Sequence, residues 1–164
     1  MREIVLIVND IRSTHNVGSL LRTADGLGVN KVYLTGYTPF PKIADDPRLP
    51  HLAARISKQI NKTALGAEES VDWQHCEDIN DVLADLYAEG FDVAALEQSN
   101  TSIKLNEYQP PEKIALLIGS EVEGVDKNLL KKVKLHIEIP MFGKKESFNV
   151  ANAAAIALYH LRFN

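Results

Sequence analysis

Short apolar runs typical of buried strands alternate along this chain with segments of helical periodicity. The strand candidates are residues 3–8, 31–35, 92–96, 114–118 and 136–139, with a weaker one at 71–75. The helix candidates are residues 16–27, 52–61, 79–89, 127–133 and 150–162. This alternation predicts an α/β fold with a largely parallel sheet flanked by helices.

The connections carry weaker signals. Asp78 and Asp126 stand where they would cap the third and fourth helices. Residues 38–50 hold four prolines and are expected to form a loop, long enough to be functional. Residues 62–69 show no clear period and are interpreted as a turn region.

Composition limits the class of protein. With 164 residues and 45% hydrophobic content, we expect one globular domain over residues 1–164. The apolar run at 4–8 is too short for a signal peptide or a membrane span. Cys76 is alone, so disulfides and a Cys-rich metal site are not expected, and a cytoplasmic setting is the default. Because the net charge is −4, RNA binding requires a local basic patch, a dimer groove or a partner.

Three segments contain residues that could bind a ligand or take part in catalysis. The first of them follows the first predicted strand and opens a helix. Asn16 and Arg22 lie six residues apart, and Gly18 between them permits close approach of a ligand or a backbone. Taken alone, these residues also fit a simpler interpretation, in which Asn16 caps the helix and Arg22 is a surface charge.

The second segment is the turn Gly119-Ser120-Glu121-Val122-Glu123-Gly124, directly after a buried strand. In open α/β sheets, ligands bind beyond the carboxyl ends of strands. The glycine spacing suggests a P-loop, but the Gly-Lys-Ser/Thr element is missing. Gly26-Leu27-Gly28 follows a helix and lacks a third glycine, which argues against a Rossmann site. Glu121 is then either a site carboxylate or a solvated turn residue.

The third segment is an apolar strand that stops at Ile139-Pro140-Met141, crosses a polar turn, and enters an alanine-rich helix through Ser147-Phe148-Asn149. Serine and asparagine at a helix start present caps and backbone amides to a ligand. The same residues also suit a purely structural role. The helix is apolar nearly all round, so we expect burial on more than one side, by a dimer interface or by a monomer core.

In this order, the three segments resemble the motifs of the SpoU/TrmH-type RNA 2′-O-methyltransferases of the SPOUT, or α/β-knot, superfamily. The first motif, Asn-x-Gly…Arg-Thr-Ala, is matched by Asn16, Gly18, Arg22, Thr23 and Ala24. The second, Gly-Asn-Glu-x-x-Gly, is matched by residues 119–124, and the third by Ile139-Pro140-Met141 and Ser147-Phe148-Asn149-Val150. Ser120 replaces the usual Asn and Phe148 the usual Leu; neither change removes a group that the chemistry requires.

The resemblance implies an S-adenosylmethionine-dependent methyltransferase that acts on a ribose 2′-hydroxyl of tRNA or rRNA, with a C-terminal deep trefoil knot. It implies a cofactor site built from Leu96, Glu97, Gln98, Gly119, Glu121, Gly124, Ile139, Met141, Ser147, Phe148 and Asn149. It also implies a catalytic set of Arg22, Asn16, Glu121, Ser147 and Asn149. No metal is expected.

Individual roles follow from the same resemblance. Arg22 acts as a base or as an electrostatic stabiliser, the latter being easier for a group with a pKa above 12. Asn16 would orient Arg22 or the ribose, and Glu121 would pair with Arg22 or shape the pocket. His15, next to Asn16, is the alternative for proton transfer, unless it is a plain polar residue of the loop.

The expected partners are RNA and a second copy of the chain. Arg12, Arg22, Lys144 and Lys145 form a local phosphate patch, unless the two lysines are ordinary solvated charges. The resemblance implies a homodimer, and no membrane partner is expected. With no separate RNA-binding domain expected, substrate choice would come from the dimer surface, from the loop at 38–50 or from an accessory protein. The competing hypotheses are a non-catalytic cofactor- or RNA-binding module, an unrelated nucleotide-binding α/β enzyme, and methylation of a base.

Overall fold

A computed structural model describes residues 1–133 and 135–164. The strands are β1 (Glu3–Asn9), β2 (Lys31–Thr35), β3 (Trp73–Cys76), β4 (Asp92–Leu96), β5 (Ile103–Lys104), β6 (Lys113–Ile118) and β7 (Leu135–Glu138). The helices are α1 (Thr14–Gly26), α2 (Pro50–Ala64), α3 (Ala67–Ser70), α4 (Ile79–Ala88), α5 (Lys127–Lys132) and α6 (Val150–Phe163), with a 3₁₀ turn at Leu105–Glu107.

The seven strands form one sheet in the order β3-β2-β1-β6-β4-β7-β5, and every strand pair is parallel. The expected parallel α/β architecture is therefore confirmed. Parallel strands place all their carboxyl ends at one edge of the sheet, which is where ligands bind in such folds. The loops that follow β1, β4, β6 and β7 meet at that edge.

The central strands are apolar without alternation because helices cover both faces of the sheet. Ile4, Leu6 and Val8 of β1 pack in one core with residues of α1, α2 and α6. Val5 and Ile7 point to the other face and pack against α4 and α5. The sheet is therefore packed between two helical layers, which fix the position of its carboxyl edge.

Local capping sets where the helices begin. Asp78 and Asp126 accept hydrogen bonds from the first backbone N–H groups of α4 and α5, as predicted. Asn149 does the same for α6. The first helix differs from prediction, because Ser13 rather than Asn16 is its cap and the helix begins at Thr14.

Gly18 allows a close approach, and its partner is a neighbouring helix. A Cβ at this position would lie 2.1 Å from Thr63 Oγ1 and 2.3 Å from the carbonyl oxygen of Ile60. Gly18 therefore lets α1 pack directly on the backbone of α2.

Two local predictions were wrong, and one short strand was missed. Residues 62–69 are not a turn region, since α2 runs to Ala64 and α3 begins at Ala67. The weak strand lies at Trp73–Cys76 rather than 71–75. The two-residue β5 was not predicted, because two exposed residues carry no periodicity. In the part of the chain that the structure describes, no helix combines the length and apolar character needed to cross a membrane.

Candidate active site

A cavity of about 310 Å³ opens at the carboxyl edge of the sheet, beyond β4, β6 and β7. This volume lies at the lower end of the range for small-molecule sites. Ten of the eleven residues predicted to hold the cofactor line it, namely Leu96, Glu97, Gln98, Gly119, Glu121, Gly124, Ile139, Met141, Ser147 and Phe148. Asn149 is the exception and lies beside the cavity at the start of α6.

The turn after β6 forms one wall. The backbone N–H groups of Ser120 and Gly124 each donate to the other residue's carbonyl at 3.0 Å. Gly124 has φ of +68°, a conformation that favours glycine. A Cβ at Gly119 would lie 2.2 Å from the carbonyl oxygen of Gly124, so this glycine is required by the turn's own backbone.

Glu97 connects two walls of the cavity. Its carboxylate accepts hydrogen bonds from the backbone N–H of Val125 at 2.9 Å and from that of Gln98 at 3.1 Å. The Gln98 side chain donates to the carbonyl oxygen of Glu146 at 3.0 Å. The loops after β4, β6 and β7 are therefore tied together by side chains.

Glu121 connects the cavity to the first motif. Its carboxylate accepts from the backbone N–H groups of Arg12 (3.1 Å) and Ser13 (3.0 Å), and from Asn16 Nδ2 (3.1 Å). Partial burial raises the pKa of Glu121, but the hydrogen bonds outweigh burial and leave the pKa below its ordinary value. Glu121 thus shapes the pocket, and the ion pairs found among residues 1–133 and 135–164 do not join it to Arg22.

Asn149 brings in the third motif. Its Oδ1 accepts from the backbone N–H of Ala151 at 3.0 Å, and its Nδ2 donates to Asn16 Oδ1 at 3.3 Å. Asn16 therefore sits between Glu121 and Asn149. Side chains 105 and 133 residues apart in sequence meet at one point beside the cavity.

The basic side chains take no part in these hydrogen bonds, although the backbone N–H of Arg12 does. Arg22 is exposed on α1, and Lys144 and Lys145 are exposed in the loop after β7. The Arg12 guanidinium lies 5.7 Å from the centre of the Tyr37 ring. A side-chain hydrogen bond to Tyr37 is the main cause that raises the pKa of Arg12.

The backbone carbonyl of His15 accepts a hydrogen bond from Thr63 Oγ1 at 2.8 Å. Tyr37 was not foreseen from the sequence. Its position follows from two backbone turns, at Asp10 (φ +55°) and Gly36 (φ +65°), and from the bond of its N–H to Asp10 Oδ1 at 3.1 Å. In the sequence, the pair Asn9-Asp10 at the end of β1 was the signal that could have predicted the first of these turns.

The chain is similar to RNA methyltransferases of known sequence and structure. The 23S rRNA (guanosine(2553)-2′-O)-methyltransferase RlmP of Bacillus subtilis is 31% identical over 158 residues, which are 96% of this chain and 57% of RlmP. The chain thus spans about half the length of the curated relatives it matches.

Solved structures share the fold. The AdoMet-bound rRNA methyltransferase of Sinorhizobium meliloti superposes with a TM-score of 0.81 at 22% identity, over 99% of this chain and 57% of that one. A structure described as giving insights into the 2-OH methylation of C/U34 on tRNA has a TM-score of 0.77 at 24% identity, over 98% of this chain and 94% of that one.

The family model described as SpoU rRNA Methylase matches residues 3–159, which includes all three motifs and every strand. The chain therefore belongs to the SpoU rRNA methylase family.

Proposed function

We propose that this protein transfers a methyl group from S-adenosylmethionine to a ribose 2′-hydroxyl of tRNA or rRNA. The observation that carries the proposal is the contact of Asn16, Glu121 and Asn149 at the rim of the strand-end cavity. The RNA 2′-O-methyltransferase activity printed for RlmP supports the same reaction.

The cavity suits S-adenosylmethionine in its chemistry. Leu96 and Ile139 supply apolar surface, and the turn 119–124 supplies backbone polar groups at the end of β6. The carboxylates of Glu97, Glu121 and Glu146 favour a cationic ligand. When bound, this cofactor would supply an electrophilic methyl group on a sulfonium, which becomes a neutral thioether once the 2′-oxygen takes the methyl carbon.

The protein's task is then to place the ribose and to accommodate the hydroxyl proton. Arg22 is exposed on α1, the helix whose first turn carries Asn16, so its guanidinium is available to an RNA phosphate. We assign Arg22 the role of holding that phosphate and stabilising negative charge on the 2′-oxygen. Ser147 lines the cavity, and Asn16 and Asn149 would orient the ribose from its rim.

Single-turnover methylation of total RNA, alongside calorimetric titration of S-adenosylmethionine, tests these roles. Arg22→Ala is expected to slow methyl transfer by about 10²–10³ while cofactor affinity is retained. Arg22→Lys is expected to rescue poorly, because a point charge does not reproduce a bidentate fork. If Arg22→Ala methylates RNA at the wild-type rate, His15→Ala becomes the next variant to measure.

Residues 1–164 are proposed to act as one methyltransferase domain with a C-terminal trefoil knot. The 97–112 segment leaves β4, crosses β7 to form β5, and returns to β6. Helix α6, which follows β7, packs against Leu105–Glu107 of that segment, and His160 Nε2 lies 2.8 Å from the carbonyl oxygen of Tyr108. These contacts support the proposal, because a knot would require α6 to pass beneath this segment.

The homodimer is proposed to form through α6. Ile156, Tyr159 and Phe163 are spaced along one face of the helix, and they are 40%, 60% and 65% exposed. Large apolar side chains gathered in this way mark an interaction surface. Sedimentation at micromolar concentration is expected to give twice the chain mass, and Tyr159→Glu is expected to give a monomer. A wild-type monomer with full activity would contradict the proposal.

A further inference from the structure

Exposed aromatic rings lie at the same edge of the sheet as the cavity. Phe142, in the loop after β7, is 98% exposed, and Tyr37, after β2, is 55% exposed. Basic side chains accompany both rings. Lys144 and Lys145 follow Phe142 in the same exposed loop, and the Arg12 guanidinium lies 5.7 Å from the Tyr37 ring centre.

The two rings follow β2 and β7, and between these strands lie β6 and β4, whose ends open into the cofactor cavity. The strand order from Tyr37 to the Phe142 loop is β2-β1-β6-β4-β7, and the cavity opens beyond β6, β4 and β7. At about 4.8 Å between neighbouring strands, the ends of β2 and β7 are separated by about 19 Å. A polymer that runs along this edge from one ring-bearing loop to the other therefore passes the cavity mouth.

The chemistry of this edge selects among polymers. A phenyl ring in water lacks the stabilisation that burial gives, so rings held outward beside a site favour a ligand with flat apolar faces. Nucleobases stack on aromatic side chains, and lysine and arginine bind the intervening phosphates. Bases within a duplex are already stacked on one another, so they offer a protein their edges and backbone but no free face.

The net charge of the chain also favours a single strand over a duplex. Binding of duplex RNA through phosphates alone calls for a broad basic surface, whereas this chain has a net charge of −4. The few cations at this edge, Arg12, Lys144 and Lys145, suit a short strand rather than a helix.

We propose that Phe142 and Tyr37 are stacking platforms for unpaired bases on either side of the target nucleotide, so that the substrate presents a single-stranded segment at the modification site. This inference rests on the proposed function, because the strand must cross the mouth of the cofactor cavity.

The experiment measures RNA binding directly, by fluorescence anisotropy, with a short single-stranded RNA of mixed sequence and with the same strand annealed to its complement. Phe142→Leu keeps an apolar side chain but loses the ring, whereas Phe142→Trp keeps a ring. Tyr37→Leu and Tyr37→Phe form the same pair at the second platform. Tyr87→Leu is the matched control, since Tyr87 is 46% exposed near the end of α4, at the opposite edge of the sheet.

Phe142→Leu and Tyr37→Leu are each expected to weaken single-strand binding by roughly 5- to 100-fold, the loss that corresponds to one stacked base. Phe142→Trp, Tyr37→Phe and Tyr87→Leu are expected to bind like the wild type, and the duplex is expected to bind more weakly than the single strand. Unchanged binding by both leucine variants, or equal binding of duplex and single strand, would overturn the inference.

Two further readouts separate other roles of Phe142. A parallel loss of S-adenosylmethionine affinity in Phe142→Leu would make the ring a cover for the cofactor, and a halved sedimentation mass would make it a dimer contact; either result overturns the stacking role. Because neither RNA binding nor cofactor binding depends on turnover, a protein that binds single strands but transfers no methyl group would refute the proposed function and leave the platforms supported.

Discussion

Replacement of Gly119 by alanine tests whether the turn after β6 controls cofactor binding. The added Cβ would lie 2.2 Å from the carbonyl oxygen of Gly124 and 2.4 Å from the nitrogen of Val125, whereas ordinary contact begins at 3.4 Å. Both neighbours are backbone atoms, so the turn must move by about 1 Å to accept the methyl group.

That movement opens the two Ser120–Gly124 hydrogen bonds, both 3.0 Å long, and stretches the 2.9 Å bond from Val125 N–H to Glu97. At about 1 kcal/mol net for each bond, the loss is about 3 kcal/mol. If the turn must re-form for the cofactor to bind, its dissociation constant rises about 100-fold.

Gly143→Ala is the matched control, because a Cβ there meets no heavy atom within 4 Å and the residue lies in another loop at the same edge. Calorimetric titration with S-adenosylmethionine is expected to show the large loss for Gly119→Ala and wild-type affinity for Gly143→Ala, with thermal melts to establish that both variants are folded. Wild-type affinity in Gly119→Ala would refute the reasoning, since the cavity would then tolerate a displaced turn.

Two further predictions concern stability. Glu121→Gln is expected to lower stability at neutral pH by about 1 kcal/mol, because the carboxylate is exposed and its three hydrogen bonds are shared with water. Because folding lowers the pKa of Glu121, the stability advantage of the wild type is fully present above the ordinary pKa of 4.5 and is lost as the pH falls through the folded-state pKa. Thermal melts of both proteins across acid pH would detect this loss. A stability difference that stays constant with pH would contradict the prediction. Arg48→Leu removes an ion pair of 2.6 Å with Asp46 and donors to the carbonyls of Phe40 and Pro41, so we expect a loss of about 2 kcal/mol and faster proteolysis of the loop before α2, with unchanged cofactor affinity.

Sequence reasoning succeeded where the physical signal is local or periodic. The caps Asp78, Asp126 and Asn149 bond to N–H groups two or three residues ahead, so the sequence around each one contains the whole interaction. The apolar runs of β1 and β6 predict buried parallel strands for the same reason.

The contacts between side chains within the site could not be predicted from local or periodic patterns in the sequence. Glu121 was expected to face Arg22 or the pocket. It lines the pocket, and its carboxylate also binds the backbone of Arg12 and Ser13, more than 100 residues away, which was not expected. The sequence contains no trace of such a bond, because any N–H group can donate it. Gly18 shows the same limit. The glycine indicates a close approach, but the neighbouring residues do not indicate whether a ligand or the backbone of α2 makes it.

The junction of Asn16, Glu121 and Asn149 also has a consequence for how the molecule matures. It joins the start of α1, the turn after β6 and the start of α6, so it forms only after the central parallel strands have paired. Pairing between strands distant in sequence is slow, because the entropy of loop closure is lost before contacts compensate for it. During refolding from denaturant, helical signal is therefore expected to return first, and the ability to bind cofactor to return only with the slowest phase. Release of a nascent chain short of α6 would leave a sheet with no working site.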